Sequence, residues 1–505
     1  MPDQSSPREA ELLDRLAAVE KENALLRQKL DLLVRKLFGA KSEQLDPAQL
    51  LLLLAGLDEP PKALEPVAKE APRRSTIPSP PRERKLGWPE HLEVVEEVIV
   101  PESVKAAPQD WRRIGEEVSE RLDYEPARFL RRRTVRPKYV ARGVLDALPI
   151  IAPLPDSMLE RSRVAPGLLA QIVVSKYCDH LPLYRQEAIY WTRHQVWLPR
   201  QTMAEWVALA AEWLTPIYEH LRREVLGHGY VQVDETPIRY LAPGHGRTKI
   251  GYLWTCNDPQ GDVIFHWEIS RAASCLEKII PASFNGTIQC DGYEAYDCFA
   301  KRRAGQIELV GCLAHVRRKF YDARDQAPQI AGWFLRHFQH LYALEAKLRN
   351  TRAGPKLRQA ERSSLSQLVL TRLHRALVRL KNQRRFLPRS LMGQAIDYAL
   401  REWSSLLVFL RDGRIEIDNN RVENAIRPSA VGKKNWLFIG AAEAGERSAV
   451  IYTIIECCRR RGIDPLAYLH DVFTRLPSMT NWQTKELTPA AWAKHRSQVD
   501  LRSAA

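Results

Sequence analysis

Three acidic residues that lie far apart in the chain occupy positions where secondary structure would bring them together. Asp234 and Asp291 each end an apolar run, and Glu423 lies in a helix predicted to follow a strand at 414–417, with Asp418 as the N-cap. Carboxylates 4 Å apart repel one another by roughly 4 kcal/mol per pair at an effective dielectric of 20. Such a cluster is tolerable when divalent cations lie inside it, and two Mg²⁺ ions about 4 Å apart serve in-line displacement at a phosphodiester.

The elements around these acids predict an RNase H-like mixed sheet. Five β-branched runs are predicted strands, at 230–233, 251–255, 263–269, 287–290 and 308–311. Helices are predicted at 272–280, 294–301 and 314–323. Three antiparallel strands followed by helix, strand, helix and strand is the element order of that fold.

Side-chain periodicity places the acids within these elements. Alternation along the first strand puts Gln232 and Asp234 on one face of the sheet. On the helix, Asn420 and Asn424 fall on the face of Glu423 by their three- and four-residue spacing, so they are predicted to support the ligands by hydrogen bonds. Taken singly, each aspartate could be a turn residue and Glu423 half of a surface ion pair. The three contexts together favour a catalytic site.

The charge of the chain indicates a polyanionic partner. The 505 residues include 76 Lys and Arg against 61 Asp and Glu, a formal charge of +15. The N-terminus has no apolar segment typical of a secretion signal, and the longest leucine run, 50–54, is far below the roughly 18 apolar residues that span a bilayer. We therefore expect an intracellular, cytoplasmic and nucleoid-associated protein without a membrane partner. Its eight irregularly spaced cysteines are expected to be reduced thiols.

A heptad pattern over 12–37 predicts self-association. Leucine and valine recur at one apolar position, and leucine recurs at the other with a single interruption, Asn23. One Asn in such a seam is typical of a parallel dimeric coiled coil, because it specifies register and strand number. An amphipathic helix packed on its own domain is the alternative.

Basic segments between the heptad and the sheet are candidate DNA contacts. An arginine-rich predicted hairpin could follow phosphates or be a solvated face. A predicted helix-turn-helix would present residues at the start of its second helix to base edges, although such pairs also occur in plain bundles. The residues predicted to contact DNA in these segments are Arg131, Arg132, Arg133, Arg136, Lys138, Arg200, Gln201 and Thr202.

The chain as a whole is predicted to be a multidomain α+β protein. Its predicted parts are a coiled-coil dimerisation helix (1–45), a proline-rich linker (46–92), a small basic β module (93–160), a helix-turn-helix DNA-binding region (161–228), an RNase H-like catalytic domain (229–327 and 411–476) with a helical insertion (328–410), and a C-terminal tail (477–505).

Several long motifs are distributed along the chain. They are Lys-Leu-Phe-Gly-Ala-Lys-Ser-Glu (36–43), Val-Ser-Lys-Tyr-Cys-Asp-His-Leu-Pro-Leu-Tyr-Arg-Gln (174–186), Asp-Glu-Thr-Pro (234–237), Asp-Gly-Tyr (291–293), Cys-Leu-Ala-His-Val-Arg-Arg-Lys-Phe (312–320), Asp-Asn-Asn-Arg-Val-Glu-Asn-Ala-Ile-Arg-Pro (418–428) and Gly-Lys-Lys-Asn-Trp-Leu-Phe (432–438). Together they resemble the motifs of insertion-sequence-66 family transposases, which are Asp-Asp-Glu recombinases of the retroviral-integrase superfamily.

The resemblance implies a metal-binding triad of Asp234, Asp291 and Glu423 that uses Mg²⁺ or Mn²⁺. It also implies double-stranded DNA, both element ends and target, as the substrate of hydrolysis and of 3′-OH strand transfer. Further partners would be a second copy of the chain and small accessory proteins of the same element. Within these motifs, Arg317, Arg318, Lys319, Lys433 and Lys434 are expected to face DNA.

One departure from the family concerns zinc. Family members usually carry a zinc-finger-like module with two Cys pairs before the helix-turn-helix, but residues 98–148 contain no cysteine. Thiolate coordination is impossible there, so we expect a metal-free remnant and no zinc. Cys312 and His315 form a Cys-x-x-His pair without a partner pair, which we interpret as structural.

Two other functions remain open from the residues. The chain could be a catalytically inactive transposase relic that binds DNA as a repressor, an interpretation favoured by the missing cysteines and opposed by the intact trio of acids. It could also be a structure-selective nuclease on the same sheet, which would give no reason for the helix-turn-helix.

Overall fold

The computed structural model describes residues 15, 19, 20, 23 and 92–503, apart from 126–127, 143–147, 159–162, 243 and 245. The chain forms two compact units. The helical unit contains Val310–Asp418, and the sheet unit contains Pro80–Leu309 and Asn419–Ala505. The predicted coiled coil and proline-rich linker lie outside the described residues, except for four exposed helical positions of the heptad segment and Leu92, so both stay predictions.

The sheet unit begins with a small β module. Its elements are β1 (Glu93–Val98), α1 (Glu102–Ala106), β2 (Trp111–Glu125), β3 (Arg128–Ala141) and β4 (Ile150–Ile151). The strand order is β1-β3-β2, with β1 parallel and β2 antiparallel to β3, and β4 also pairs with β3. The sequence predicts a small basic β module here, and β3 carries its arginine-rich segment. β2 is not apparent from the sequence, because its side chains are mostly charged and exposed, without an apolar alternation.

Three helices connect this module to the larger sheet. They are α2 (Pro166–Tyr177), α3 (Leu183–His194) and α4 (Arg200–Gly227). The helix pair of the predicted helix-turn-helix is present, and residues 195–199 separate α3 from α4. Buried residues recur along α4 at helical spacing, at Met203, Val207, Ala210, Leu214, Ile217 and Leu221. α4 is therefore an amphipathic core helix with one buried stripe and an exposed face.

The second sheet has five strands. They are β5 (Tyr230–Leu241), β6 (Thr248–Asn257), β7 (Val263–Glu268), β8 (Gly286–Gln289) and β9 (Ile307–Val310), in the spatial order β7-β6-β5-β8-β9. β5 is antiparallel to β6 and parallel to β8. Helices α5 (Ala273–Ile279) and α6 (Glu294–Arg302) lie where the sequence predicts them. All five predicted strands are present.

The helical unit follows β9. It contains α7 (Leu313–Asp322), α8 (Pro328–Asn350), α9 (Pro355–Glu361), a π-helical turn (Arg362–Ser366), α10 (Gln367–Asn382), α11 (Leu391–Arg401) and α12 (Trp403–Leu406). The predicted strand at 414–417 is wrong, because these residues form turns. The alternating apolar and charged residues suggested a strand with one exposed face. In the structure Ile415, Glu416 and Ile417 are all buried.

The chain then returns to the sheet unit. Its last helices are α13 (Asn420–Trp436), α14 (Ala442–Arg460), α15 (Pro465–Arg475) and α16 (Pro489–Ser503). The residue that precedes α13 is Asn419 and not the predicted cap Asp418. Asp464 caps α15, whose first residue is Pro465. The predicted C-terminal tail is largely helical. Its Trp492 packs against Tyr468 of α15, with ring centroids 5.6 Å apart.

A buried ion-pair network holds the helical unit together. Arg362 is fully buried, and its Nε donates to Glu345 Oε1 at 2.7 Å, while Arg358 bridges Glu345 and Glu416 at 3.1 and 3.2 Å. Burial alone would raise the pKa of Glu345, but the hydrogen bonds and charges of Arg362 and Arg358 lower it below its ordinary value. The carboxylate is therefore ionised, and its loss would leave buried guanidinium groups without a counter-charge.

We expect Glu345→Ala to lower the free energy of unfolding of the helical unit by roughly 3–5 kcal/mol. Glu361→Ala, which removes an acid from the same unit outside this network, should change it by less than about 0.5 kcal/mol. Thermal or urea denaturation of the purified variants measures both. Equal stability of the two variants would contradict the role of the network.

None of the helices in the described part of the chain combines the length and the hydropathy that crossing a bilayer requires. The eight cysteines are all free, and six of them are buried, which confirms the prediction of reduced thiols.

Candidate active site at the end of the sheet

β5 carries two adjacent acids whose side chains face opposite sides of the sheet. Glu235 is buried on the side covered by α6, where it accepts a hydrogen bond from Tyr296 Oη at 2.7 Å and is ion-paired with Arg271. The Arg271 guanidinium also lies 3.7 Å from the ring centroid of Tyr293. Asp234 faces the other side and is half-buried. The pairing of Glu235 therefore fixes the direction in which Asp234 points.

The register of the parallel strands places Asp291 beside Asp234. Gln232 on β5 is paired with Gln289 on β8. Two residues further along each chain lie Asp234 and Asp291, so the continued register brings them level on neighbouring strands, which lie about 4.8 Å apart. Asp291 follows the end of β8, and its Oδ1 accepts a hydrogen bond from Tyr293 N at 3.1 Å. This turn directs the chain into α6.

A row of buried amides supports the strands next to the acids. Asn257 Nδ2 donates to Gln232 Oε1 at 2.7 Å, and Gln232 Nε2 donates to Gln289 Oε1 at 2.8 Å. Tyr230 Oη donates to the same Gln289 oxygen at 2.7 Å. All three amide side chains are fully buried. Sequence reasoning placed Gln232 on the face of Asp234 but missed its partners, since cross-strand pairing depends on register.

Glu423 reaches the same face of the sheet from α13. This helix packs on β5 and β6. Near its start, Arg421 donates to the Pro259 carbonyl in the β6–β7 turn. Near its end, Lys433 Nζ donates to Thr236 Oγ1 at 3.1 Å and to the Pro237 carbonyl at 3.2 Å. Two anchors thus hold the helix along β5, with Glu423 two residues after the first of them.

The three acids interact electrostatically. Burial raises the pKa of Asp234 to about 8, and the negative charges of Glu235, Asp291 and Glu423 raise it in addition. The hydrogen bond from Glu235 N to Asp234 Oδ1, 2.9 Å long, opposes this increase without cancelling it. The sequence predicted that these acids come together, and each of the other two perturbs Asp234 in the structure.

The donor set suits a hard divalent cation, although the described side chains do not yet enclose one. Within residues 92–503 and their stated gaps, no group of three or more His, Cys, Asp and Glu is arranged to hold a metal ion, and this includes the three acids. Carboxylate oxygens are nevertheless the ligands that Mg²⁺ prefers. A cation among them would relieve the repulsion that raises the pKa of Asp234, so the residues fit this group in chemistry and charge.

The two predicted supporting amides differ in exposure from the buried amide that precedes this helix. Asn420 and Asn424 are both exposed on α13. Asn419 is fully buried just before the helix, and its carbonyl accepts from Val422 N at 3.0 Å and Glu423 N at 3.3 Å. Asn419 is therefore the amide that packs inside the sheet unit beside Glu423. A second-layer role for Asn420 and Asn424 stays a prediction.

The predicted phosphate contacts on β3 have carboxylate partners on β2. Glu120 pairs with Arg131 at 2.8 Å and with Arg133 at 2.7 Å, and Glu117 pairs with Arg136 at 2.5 Å and with Lys138 at 3.2 Å. Arg132 is ion-paired with the buried Asp123. These pairs neutralise much of the basic stripe, so a phosphate would have to compete with them. DNA contact by these five residues stays a prediction.

The other predicted DNA contacts lie at several surfaces of their own units. Arg200 and Gln201 are exposed at the start of α4 with Thr202 half-buried, and Arg200 N donates to Glu187 Oε1 at 2.9 Å. In the helical unit, Arg317 and Arg318 are exposed on α7, while Lys319 lies 4.7 Å from the Tyr398 ring centroid. Lys433 is engaged with β5, and Lys434 is exposed.

Comparison with known families assigns the chain. A family model described as "Transposase IS66 family" matches residues 161–447, and one described as "IS66 C-terminal element" matches 453–490. The chain belongs to the IS66 transposase family. Membership of this family indicates DNA transposition and DNA binding. A third model, described as "Transposase C of IS166 homeodomain", matches residues 25–96, which lie ahead of the helix-turn-helix predicted at 161–228.

Relatives of this IS66-family chain align over nearly its whole length. Two uncharacterized proteins of Sinorhizobium fredii (strain NBRC 101917 / NGR234), y4qI and y4jD, are 36% and 35% identical to it. The first alignment covers 94% of this chain and 90% of the relative, and the second covers 92% and 94%. A third protein of that organism, y4hP, is 30% identical over 93% of this chain.

The pKa of Asp234 predicts an unusual pH dependence of stability. Because the folded-state pKa of about 8 lies above the ordinary aspartate value of 3.8, the folded protein retains a proton that the unfolded chain has lost, and stability falls as pH rises from about 4 to about 8. Asp234→Asn, which cannot ionise, should lack this decline. In a chelator at pH 8.5 we expect it to be more stable than the unsubstituted chain by roughly 1–3 kcal/mol.

Urea denaturation at several pH values measures this difference. Mg²⁺ should stabilise the unsubstituted chain at pH 8.5 and leave Asp234→Asn nearly unchanged, since binding requires the ionised carboxylate. Identical pH profiles for the two proteins would contradict the inferred burial and repulsion at Asp234.

Proposed function

We propose that this IS66-family chain is a DNA transposase whose active site is formed by Asp234, Asp291 and Glu423. It would bind the ends of its element, hydrolyse a phosphodiester there to expose a 3′-OH, and transfer that hydroxyl to target DNA. The observation that carries the proposal is the perturbed pKa of Asp234, to which the charges of Asp291 and Glu423 both contribute. Carboxylates from two strands and a helix are thus within electrostatic reach on one face of one sheet.

The architecture supports an RNase H-like catalytic domain. In this sheet the first strand along the chain, β5, lies at the centre. The second and third strands, β6 and β7, follow on one side and are antiparallel to their neighbours, and the fourth and fifth, β8 and β9, follow on the other side. Asp234 lies on the central strand, Asp291 follows its parallel neighbour, and Glu423 comes from a later helix on the same face. This arrangement matches the element order that the sequence analysis predicted for such a domain.

The residues present suggest how the chemistry would be divided. Asp234, Asp291 and Glu423 would hold Mg²⁺ or Mn²⁺, which when bound lowers the pKa of water and neutralises charge on the phosphate oxygens. Asp234 must release its proton when it becomes a ligand, so cation binding and deprotonation are coupled at this residue. Glu235, Arg271 and the amide row keep the carboxylates in place, so that little reorganisation is needed when the substrate arrives.

Pairing of two element ends requires more than one copy of the chain. The heptad at 12–37 is the predicted means of self-association, and it lies outside the described residues. The exposed Arg200, Gln201 and Lys434 are candidate contacts to duplex DNA. Long-range attraction by a chain of formal charge +15 would assist the encounter with DNA and would weaken with rising salt.

The test uses Asp234→Ala in the full-length protein. Cleavage and joining of labelled element-end DNA in Mg²⁺ should fall by more than about 100-fold, because even outer-layer partners of a metal site contribute 10–100-fold. Binding of the same DNA in chelator should stay within a few-fold. Asp297→Ala, which removes an exposed acid from α6, should retain both activities.

Two outcomes would refute the assignment. Joining that persists in Asp234→Ala would show that the acid is not part of the active site. Binding without nicking by the unsubstituted chain, in Mn²⁺ as well as in Mg²⁺, would indicate a DNA-binding relic that occupies element ends.

A further inference from the structure

The excess positive charge of the chain is concentrated in the helical unit. Residues 310–418 contain 21 Lys and Arg against 9 Asp and Glu, so these 109 residues carry +12 of the formal +15. Within them, residues 363–396 contain seven Lys and Arg and no Asp or Glu. The trio of acids belongs to the sheet unit and does not account for this concentration. Most of the net attraction of this chain for a polyanion therefore arises from the helical unit.

Helix α10 presents three of these cations on one face. Arg372, Arg375 and Arg379 are all exposed, and at about 100° per residue they lie within roughly 60° of one another. The other side of the helix is buried in the helical unit, where α10 packs on α8 and α11. The buried residues on that side are Leu370, Leu373 and Leu377. We call Arg372, Arg375 and Arg379 the arginine stripe.

Within the described residues, no carboxylate forms an ion pair with the arginine stripe. Six of the nine acids in the helical unit pair with cations outside it. These pairs are Asp325 with Arg324, Glu345 with Arg362, Asp397 with Lys381, Glu402 with Arg401, Asp412 with Arg414, and Glu416 with Arg358. The acid of the neighbouring α11, Asp397, is thus engaged by Lys381 at the end of α10.

The remaining three acids of the helical unit lie on other elements. Asp322 is on α7, and Asp418 interacts with Tyr342 of α8, whose pKa is raised by burial and by the charge of Asp418. Glu361 ends α9, eleven residues before Arg372, which is roughly 16 Å along a helix axis. The arginine stripe therefore differs from the cations of β3, which have carboxylate partners on β2.

The stability of α10 does not explain the arginine stripe. Arg372 and Arg375 are three residues apart, and Arg375 and Arg379 are four apart. Like charges at these spacings are neighbours on a helix and destabilise it by a few tenths of a kcal/mol per pair. A face that repels itself and has no counter-charge in its own unit is complementary to an external anion.

The chemistry of the arginine stripe suits the phosphates of a duplex. Guanidinium groups bind phosphate oxygens in pairs, which lysine cannot do. From Arg372 to Arg379 the helix rises about 10 Å, and one strand of duplex DNA rises about 3.4 Å per nucleotide, so the stripe matches about three nucleotides. Phosphate contacts carry no sequence information. Such a surface fits a duplex whose sequence is not fixed, which in transposition is the target.

We propose that the arginine stripe of α10 binds the phosphate backbone of target DNA, so that the helical unit captures the target duplex independently of its sequence. Other surfaces of the chain recognise the element ends, whose sequence is defined. The inference rests on the proposed function, since it takes strand transfer as the reaction. It adds a division of labour, in which the sheet unit carries the chemistry and the helical unit supplies the affinity for target.

The first measurement is binding of the full-length protein to a random-sequence duplex in chelator at several salt concentrations. The test variant carries Arg372→Gln, Arg375→Gln and Arg379→Gln, and glutamine keeps a good helix propensity at exposed positions. Each phosphate contact contributes about 0.9 to the slope of log affinity against log salt, so we expect this slope to fall by roughly 2–3. Affinity at about 0.1 M salt should fall by at least about 10-fold.

The second measurement separates the two reactions. An element-end duplex that already carries its 3′-OH is joined to plasmid DNA in Mg²⁺, and the triple Gln variant should join it at least about 10-fold more slowly at low plasmid concentration. A higher plasmid concentration should recover much of this loss, because the variant lacks affinity and not chemistry. Hydrolysis at the element end needs no target and should stay within a few-fold.

Two further variants serve as controls. Substituting Arg302, Arg459 and Arg475 by Gln removes the same charge from cations of the sheet unit that have carboxylate partners, and this variant should keep the salt slope and the joining rate. Substituting the three arginines of the stripe by Lys keeps the charge and loses the paired hydrogen bonds. It should retain the salt slope and lose affinity by only a few-fold.

Four results would overturn the proposal. One is an unchanged salt slope in the triple Gln variant, and another is an equal loss in the sheet-unit control, which would indicate a general effect of charge. The third is an equal fall in hydrolysis and joining, which would assign the stripe to element DNA. The fourth is a changed oligomeric state of the triple Gln variant without DNA, measured by light scattering, which would make the stripe an interface between copies.

The proposed function is tested separately by Asp234→Ala. This variant should bind the random-sequence duplex with the affinity and salt slope of the unsubstituted chain. Persistent joining by Asp234→Ala would therefore defeat the assignment of the active site, while the binding measurements on the arginine stripe would stand.

Discussion

Two neighbouring carboxylates on the central strand, Asp234 and Glu235, point to opposite sides of the sheet, and the geometry of the site depends on this opposition. Strand alternation dictates it, but alternation alone would allow a twist or a one-residue slip. The ion pair of Glu235 with Arg271 and its hydrogen bond from Tyr296 prevent both, because a slip would expose Glu235 and bury Asp234 in its place. The structural acid thereby orients the candidate catalytic acid.

The site concentrates unfavourable electrostatics that the surrounding structure must offset. Burial and three nearby negative charges disfavour the ionised form of Asp234. Against this stand the amide row across β6, β5 and β8, where every bond is a neutral hydrogen bond buried from water, and the two anchors of α13. Such a framework fixes the strands and the helix that carry the acids, which is the preorganisation that a metal-dependent site requires.

Sequence periodicity predicted the elements that are amphipathic and missed those that are not. The five strands of the larger sheet and the helices between them were predictable, because buried apolar residues recur there at strand or helix spacing. The segment 414–417 was mistaken for a strand, since Glu416 looks like an exposed residue between two isoleucines but is buried against Arg358. β2 was missed because its side chains are mostly charged, so no alternation of apolar and polar residues marks it as a strand.

Ion pairing across strands could not be predicted at all. Residues 128–142 contain no acid, so the segment resembles a phosphate-binding stripe in isolation. Only the register with β2 shows that Glu117, Glu120 and Asp123 lie opposite its cations. Local charge is thus a poor guide to a free basic surface until pairing partners are known.

The way in which the helical unit closes on itself has an evolutionary consequence. Leu313 N donates to the Ile417 carbonyl at 3.2 Å, so the entry and exit of this unit are joined by a backbone hydrogen bond. A unit whose two ends meet can be lengthened, shortened or exchanged while the sequence on either side keeps its spacing in three dimensions. Related chains could therefore differ in length inside this unit without changing the spacing of β9 and α13, although the 312–320 motif and the buried ion-pair network restrict where such changes can occur.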